Sequence, residues 1–153
     1  MASVTLKEVS KKWGDFTAVD NISLEVGDEE FMVLLGPSGC GKTTTMRMVA
    51  GLEEPSNGEI FIGEKRVNDE LPKDRDVAMV FQNYGLYPHM TVYENIRYPL
   101  KVRKVAKQLQ EEQVHIAAEK VQLRHLLQRR PRELSGGQRQ RVALARAIVR
   151  TPT

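Results

Sequence analysis

Apolar residues run unbroken at two places in the chain, Phe31-Met32-Val33-Leu34-Leu35 and Val77-Ala78-Met79-Val80-Phe81. Short continuous runs of this kind predict strands buried on both faces, as in a parallel sheet. Ile22-Ser23-Leu24-Glu25-Val26 alternates instead, which predicts a half-buried strand, and Val4 to Val9 is a further short strand candidate. With Trp13-Gly14-Asp15-Phe16 between them, these two are expected to pair as an antiparallel layer. Thr43 to Ala50 is helix-compatible and Gly51 is a natural stop. Glu54-Pro55-Ser56-Asn57-Gly58 is dense turn chemistry, followed by short strands at Ile60-Phe61-Ile62 and Val67 around Gly63. From Thr91 the character changes. Glu94 to Leu127 predicts helix that Pro99 breaks early, and Arg130-Pro131 separates it from a last helix between Ser135 and Arg150. Val142, Leu144, Ala145, Ile148 and Val149 supply that helix with an apolar face.

Between the first apolar run and the first helix lies Gly36-Pro37-Ser38-Gly39-Cys40-Gly41-Lys42-Thr43, which fits the phosphate-binding loop G-x-x-x-x-G-K-[ST] in the strand-loop-helix context that the motif requires. The chemistry follows from the backbone. Glycines let the chain curl round an anion, and a helix N-terminus adds about half a positive charge at the same point. Lys42 can then reach the β- and γ-phosphates of a nucleoside triphosphate, and the Thr43 hydroxyl can ligate Mg²⁺. A second glycine-rich helix start, Leu134-Ser135-Gly136-Gly137-Gln138, places Ser135 as an N-cap and makes a second anion site.

Composition narrows the reading only a little. At 153 residues the chain is about one domain long, with 41% hydrophobic and 28% charged residues, an ordinary soluble composition. No apolar run approaches the roughly 20 residues of a membrane span, and the N-terminus lacks a signal-peptide apolar region. Cys40 is the single cysteine, so no intrachain disulfide can form, which suits a reducing cytosol. It reads as a small residue that fits the loop, where a bulky thiol adduct should block nucleotide. Residues 1–100 carry 10 Lys+Arg against 16 Asp+Glu, and residues 101–153 carry 13 against 4. The arginines from residue 124 on (Arg124, Arg129, Arg130, Arg132, Arg139, Arg141, Arg146, Arg150) are scattered without interleaved aromatics, which favours a solvated helical face over a nucleic-acid surface.

Together the phosphate loop, the Gln82 segment and Leu134–Gln138 resemble the ATP-binding cassette (ABC) ATPases, closest in wording to the sugar-importing, maltose-transporter-type branch. Leu71-Pro72-Lys73-Asp74-Arg75-Asp76, the stretch from Met79 to Met90 and the stretch from Gly136 to Arg146 carry the likeness, which covers essentially the whole chain. The resemblance implies an α/β P-loop NTPase fold with an antiparallel β layer and an α-helical subdomain. The core would run over 1–90, and the subdomain over 91–153, ending in the signature helix. It implies ATP and Mg²⁺ as ligands. Trp13 would stack on adenine; Gly36, Pro37, Ser38, Gly39, Cys40, Gly41, Lys42 and Thr43 would hold the phosphates, with Thr44 adding a hydroxyl. Gln82 would touch Mg²⁺ and the attacking water. Ser135, Gly136, Gly137 and Gln138 would bind the γ-phosphate of ATP held by a second copy, so a homodimer is implied. The Gln82–Met90 region would receive a helix of transmembrane permease subunits, placing the protein on the cytoplasmic side, peripheral to the membrane.

One departure accompanies the match. The family pattern continues with a strand ending in adjacent Asp and Glu (the Walker B strand) and a switch histidine, whereas no acidic residue follows Glu133 and no histidine follows His125. His89, His115 and His125 match no catalytic position and read as surface histidines. The expectation is the N-terminal part of a longer ATPase, stopping before the Walker B strand, that binds ATP weakly and hydrolyses it negligibly. In the family the missing strands lie between the two apolar runs, so the sheet is expected to have a gap. Two other functions remain open to the sequence: a DNA-associated ABC ATPase, for which about 50 residues between Gln82 and Ser135 leave no room for a coiled-coil insertion, and a naturally shortened, non-catalytic module that pairs with transporter subunits.

Overall fold

A computed structural model of the chain describes residues 2–150, which divide near residue 77 into two compact units. In the first, β1 (Val4–Trp13), β2 (Phe16–Val26), β3 (Asn57–Ile62) and β4 (Lys65–Arg66) form an antiparallel sheet in the order β2-β1-β3-β4. The expected hairpin is present, with Trp13 opposite Phe16 across Gly14-Asp15, and both strands extend beyond the stretches where the alternation was plain. Leu6, Val9, Val19, Ile60 and Val67 make the core of this unit, and Met48 seals it from α1 (Lys42–Val49). Helix α1 ends as the sequence predicts. The Gly51 N–H donates to the Met48 carbonyl at 3.1 Å and the Leu52 N–H to the Arg47 carbonyl at 2.9 Å, the paired bonds of a Schellman stop. Arg75, buried, holds the same end: its guanidinium donates to the carbonyls of Met48 (2.7 Å), Val49 and Glu70 (both 3.1 Å) and Asn68 (3.3 Å). Burial lowers its pKa from the usual arginine value, yet arginine remains charged near neutrality.

The two unbroken apolar runs are not strands. Neither pairs with another strand among the described residues, and Phe31 and Leu35 are 88% and 87% exposed. A strand buried on both faces needs hydrogen-bonded neighbours; without them the sequence pattern alone does not make one.

The second unit is helical. Helices α2 (Val92–Val102), α3 (Lys107–Lys120) and α4 (Gly136–Ile148), with 3-10 turns at Arg124–Leu126 and Pro131–Glu133, enclose a core to which Val92, Ile96, Val114, Leu123 and Val142 contribute fully buried side chains. Helix α2 begins with a capping box: the Thr91 hydroxyl accepts from the Glu94 N–H at 3.2 Å, and the Glu94 carboxylate accepts from the Thr91 N–H at 2.7 Å. Pro99 sits inside α2 rather than ending it. It lies in the last part of the helix, where its missing N–H removes a single bond. Helix α4 buries Val142, Ala145 and Val149, but Leu144 is exposed, because it falls off the stripe that the 3.6-residue period makes of the other three.

The bond from the Thr91 N–H, chiefly, holds the Glu94 carboxyl below its usual value of 4.5. With the folded pKa depressed, the unfolded chain binds more protons on the acid side, so stability rises with pH. This contribution is complete above about pH 4.5 and is lost as pH falls through the folded value. Denaturation of Glu94→Gln across pH 3 to 6 should show a shallower acid dependence than the unsubstituted chain; parallel curves would contradict the cap assignment.

Candidate functional site

The candidate residues fall into two sets, one on each unit. On the first, residues 36–40 form an exposed loop leading through half-buried Gly41 into α1, and this N-cap has φ +89° and no side chain to cap the helix. The first-turn N–H groups are thus left without a side-chain acceptor, which suits an anion. Helices α2 and α4, by contrast, are each closed by their own capping box. Lys42 turns back over the loop: its ammonium donates to the Gly36 and Pro37 carbonyls, each at 2.7 Å, and lies 3.2 Å from Cys40 Sγ. This places a positive charge at the mouth of the loop. Thr45 is committed to structure, its hydroxyl donating to the Gly41 carbonyl at 3.0 Å, whereas Thr43 is exposed and Thr44 half-buried. Among the described residues no group of three or more His, Cys, Asp or Glu could hold a metal ion. A single hydroxyl fits Mg²⁺ of the kind held mainly by phosphates and water.

Trp13 is 46% exposed at the hairpin end, one face stacked on Phe16 with ring centroids 6.3 Å apart and planes 9° apart. The Lys11 ammonium lies 5.3 Å from its ring centroid and 2.8 Å from the Glu53 carboxylate. Lys11 chiefly, with a hydrogen bond from Trp13 contributing, holds the Glu53 pKa below its ordinary value. The indole is therefore an anchored, partly open aromatic surface.

On the second unit, the Ser135 hydroxyl accepts from the Gln138 N–H at 3.3 Å and the Gln138 side chain accepts from the Ser135 N–H at 2.8 Å. The exposed Gly136 and Gly137 occupy the first turn of α4 between them. Gln82 is exposed and opens a turn over 82–85, not the strand end that the apolar run suggested. The loop that follows is held from both sides. Asn95, fully buried, accepts from the Tyr87 N–H at 2.8 Å and donates to the carbonyls of Thr91 (2.9 Å), Tyr87 (3.1 Å) and Met90 (3.3 Å). Arg146 of α4 donates to the carbonyls of Gly85 (2.7 Å) and Tyr84 (3.0 Å).

The family model described as ABC transporter matches residues 19–153. The chain belongs to the ABC transporter family. It is 64% identical, over 99% of its length, to the trehalose/maltose import ATP-binding protein MalK of Thermococcus litoralis, of which it covers 42%. It is 58% identical to the sn-glycerol-3-phosphate import ATP-binding protein UgpC of Salmonella typhi, over 99% of the chain and 43% of that protein. The chain thus spans about two fifths of the length of the curated relatives it matches. Among solved structures it resembles the ATP-binding cassette MJ0796, a dimer in a post-hydrolysis state bound to ADP and Pi, with a TM-score of 0.87 at 34% identity, over 97% of this chain and 70% of that one. The fold is that of an ABC ATPase cassette.

Sequence reasoning placed Arg141 and Arg146 on a solvated face. Both are half-buried, and Arg141 donates to the Val121 carbonyl at 3.3 Å. The signal for Arg146 lay in its spacing, four residues after Val142 and three before Val149, which puts it on the buried stripe of this ABC transporter family helix. Phe16, Asn95 and Arg75 were also missed: Phe16 meets Trp13 across the hairpin turn, Asn95 bonds the loop four to eight residues before it, and Arg75 reaches the distant end of α1.

Gly41 packs tightly. An added Cβ would lie 2.5 Å from the Ala18 carbonyl oxygen and 3.0 Å from Val19, in a backbone conformation that side chains disfavour. Gly41→Ala should therefore destabilise the chain by about 2–4 kcal/mol. Gly14→Ala, where the new Cβ meets nothing within 4 Å, should cost only about 1 kcal/mol. Urea midpoints of the two variants check this, and equal losses would refute the steric account.

Proposed function

We propose that this chain is the nucleotide-binding part of an ABC importer ATPase subunit serving a carbohydrate or similar polar solute. The observation that carries the reading is the glycine loop at the uncapped start of α1, with the Lys42 ammonium lying over it. Lys42 and the amides of Gly36 to Thr43 would hold the triphosphate, Trp13 would stack on the adenine, and Thr43, with Thr44 beside it, would offer Mg²⁺ a hydroxyl. Mg²⁺ held at Thr43 would supply positive charge to offset that of the triphosphate. For its part, Lys42 must leave the Gly36 and Pro37 carbonyls and turn to the phosphates. Gln82 would meet Mg²⁺ and the attacking water. Gly136 and Gly137 would present their first-turn amides to the γ-phosphate on a second copy, and Ser135 and Gln138 would join them by leaving their mutual capping bonds.

The division into two compact units supports this reading, although it falls near residue 77 and not at the 90/91 boundary that the family pattern implies. So does the loop of Gln82–Met90, which would receive a permease helix at the cytoplasmic face of the membrane. Among the described residues no helix is long and apolar enough to cross a membrane. The exposed run 31–35 and the partly exposed run 77–81 would become strands when further strands of a longer chain pair with them. The names of the relatives, import proteins for trehalose/maltose and sn-glycerol-3-phosphate, support the substrate class.

Lys42→Ala should weaken ATP binding at least tenfold, since a charge-assisted bond to phosphate contributes about 1.5–3 kcal/mol, while leaving helix content unchanged by circular dichroism. Maleimide labelling of the exposed Cys40 should slow in the presence of ATP and, once complete, prevent ATP binding. Unchanged affinity in Lys42→Ala, together with labelling indifferent to ATP, would rule this reading out.

A further inference from the structure

Arg146 lies about 15 Å along α4 from Gly136, ten residues at 1.5 Å each, yet one loop residue spans the distance. The Tyr84 carbonyl accepts from Arg146, while the Tyr84 hydroxyl lies 3.8 Å from where a Cβ on Gly136 would sit. Tyr84 and Gly85 are both left-handed, at φ +63° and +54°, a pairing of conformations that a non-glycine residue adopts only when its surroundings impose it. The guanidinium donates to the two carbonyls of that turn and stacks 5.7 Å over the Tyr87 ring. A planar fork can do both at once; a lysine ammonium cannot. At its far end the loop is fixed by the fully buried Asn95. Its near end depends on Arg146.

We propose that Arg146 is a positioning residue that locks the loop following Gln82 to the signature helix, so that a shift of the Ser135–Gln138 turn moves the loop, and a partner seated on the loop moves the turn. The consequence for nucleotide rests on the reading in which Ser135–Gln138 meets a phosphate; the lock itself does not. A rigid helix is one of the elements that can carry energetic coupling between two points, and α4 joins the turn to Arg146 directly.

The test is hydrogen–deuterium exchange on the full-length protein, comparing the unsubstituted chain with R146K and R146M, each with and without ATP in EDTA. Without ATP, the amides of 84–87 should exchange at least tenfold faster in R146M and by an intermediate factor in R146K, with those of 138–145 unchanged. Should R146M fail to fold, R146K, which keeps the charge and stem, decides alone at an unchanged melting temperature. With ATP, the unsubstituted protein should gain protection at 84–87 as well as at 36–44, and the variants only at 36–44. Exchange at 84–87 indifferent to either substitution would overturn the inference. Absence of ATP protection at 36–44 in the unsubstituted protein would instead overturn the nucleotide reading, leaving the lock judged by the ATP-free comparison.

Discussion

The backbone of Gly41 lies so near the Ala18 carbonyl that no side chain fits between them, and this contact fixes where α1 begins relative to the sheet. The other end of α1 is fixed by the Arg75 guanidinium on the Met48 and Val49 carbonyls. Between the two, Met48 fills the core. A helix held at both ends and along its buried side presents its N-terminus in one orientation, and a preorganised set of amides needs little rearrangement to receive an anion. The loop itself is exposed and held by few contacts. Its order derives from α1.

A different balance governs the apolar runs at 31–35 and 77–81. Burying a Val, Leu, Met or Phe side chain is worth about 1.5–3 kcal/mol, so Phe31 and Leu35, 88% and 87% exposed, together forgo about 3–6 kcal/mol, a large share of the about 5–15 kcal/mol that a small domain has. An exposed apolar stretch of this size is a demand for a covering surface. The family relatives, more than twice as long as this chain, are the setting in which that demand would be met.

The parts of the fold legible in the sequence were those determined locally. The β1–β2 hairpin, the phosphate loop, the Gly51 stop and the Ser135 cap each rest on residues within a few positions of one another. The two interior strands were misread because apolar continuity reports a preference for burial and not the presence of a partner. Pro99 was misread as a break because α2 absorbs the loss of its one N–H bond and continues to Val102. In the candidate site, Lys42 and Ser135 could be named from their motifs. Arg146 could not be named from charge patterning, although its place on the Val142–Val149 stripe was available. The Trp13–Phe16 stack and the Asn95 clamp follow from a turn and a tertiary contact that no spacing rule states.

The central claim is that Lys42 marks a phosphate site at the start of α1, and a crystal structure of the full-length protein with Mg²⁺ and a non-hydrolysable ATP analogue tests it most directly. The account predicts the Lys42 ammonium withdrawn from the Gly36 and Pro37 carbonyls and bonded to the β- and γ-phosphates, with the loop amides turned to the same oxygens. A nucleotide bound elsewhere, or one bound while Lys42 stays on those two carbonyls, would contradict it.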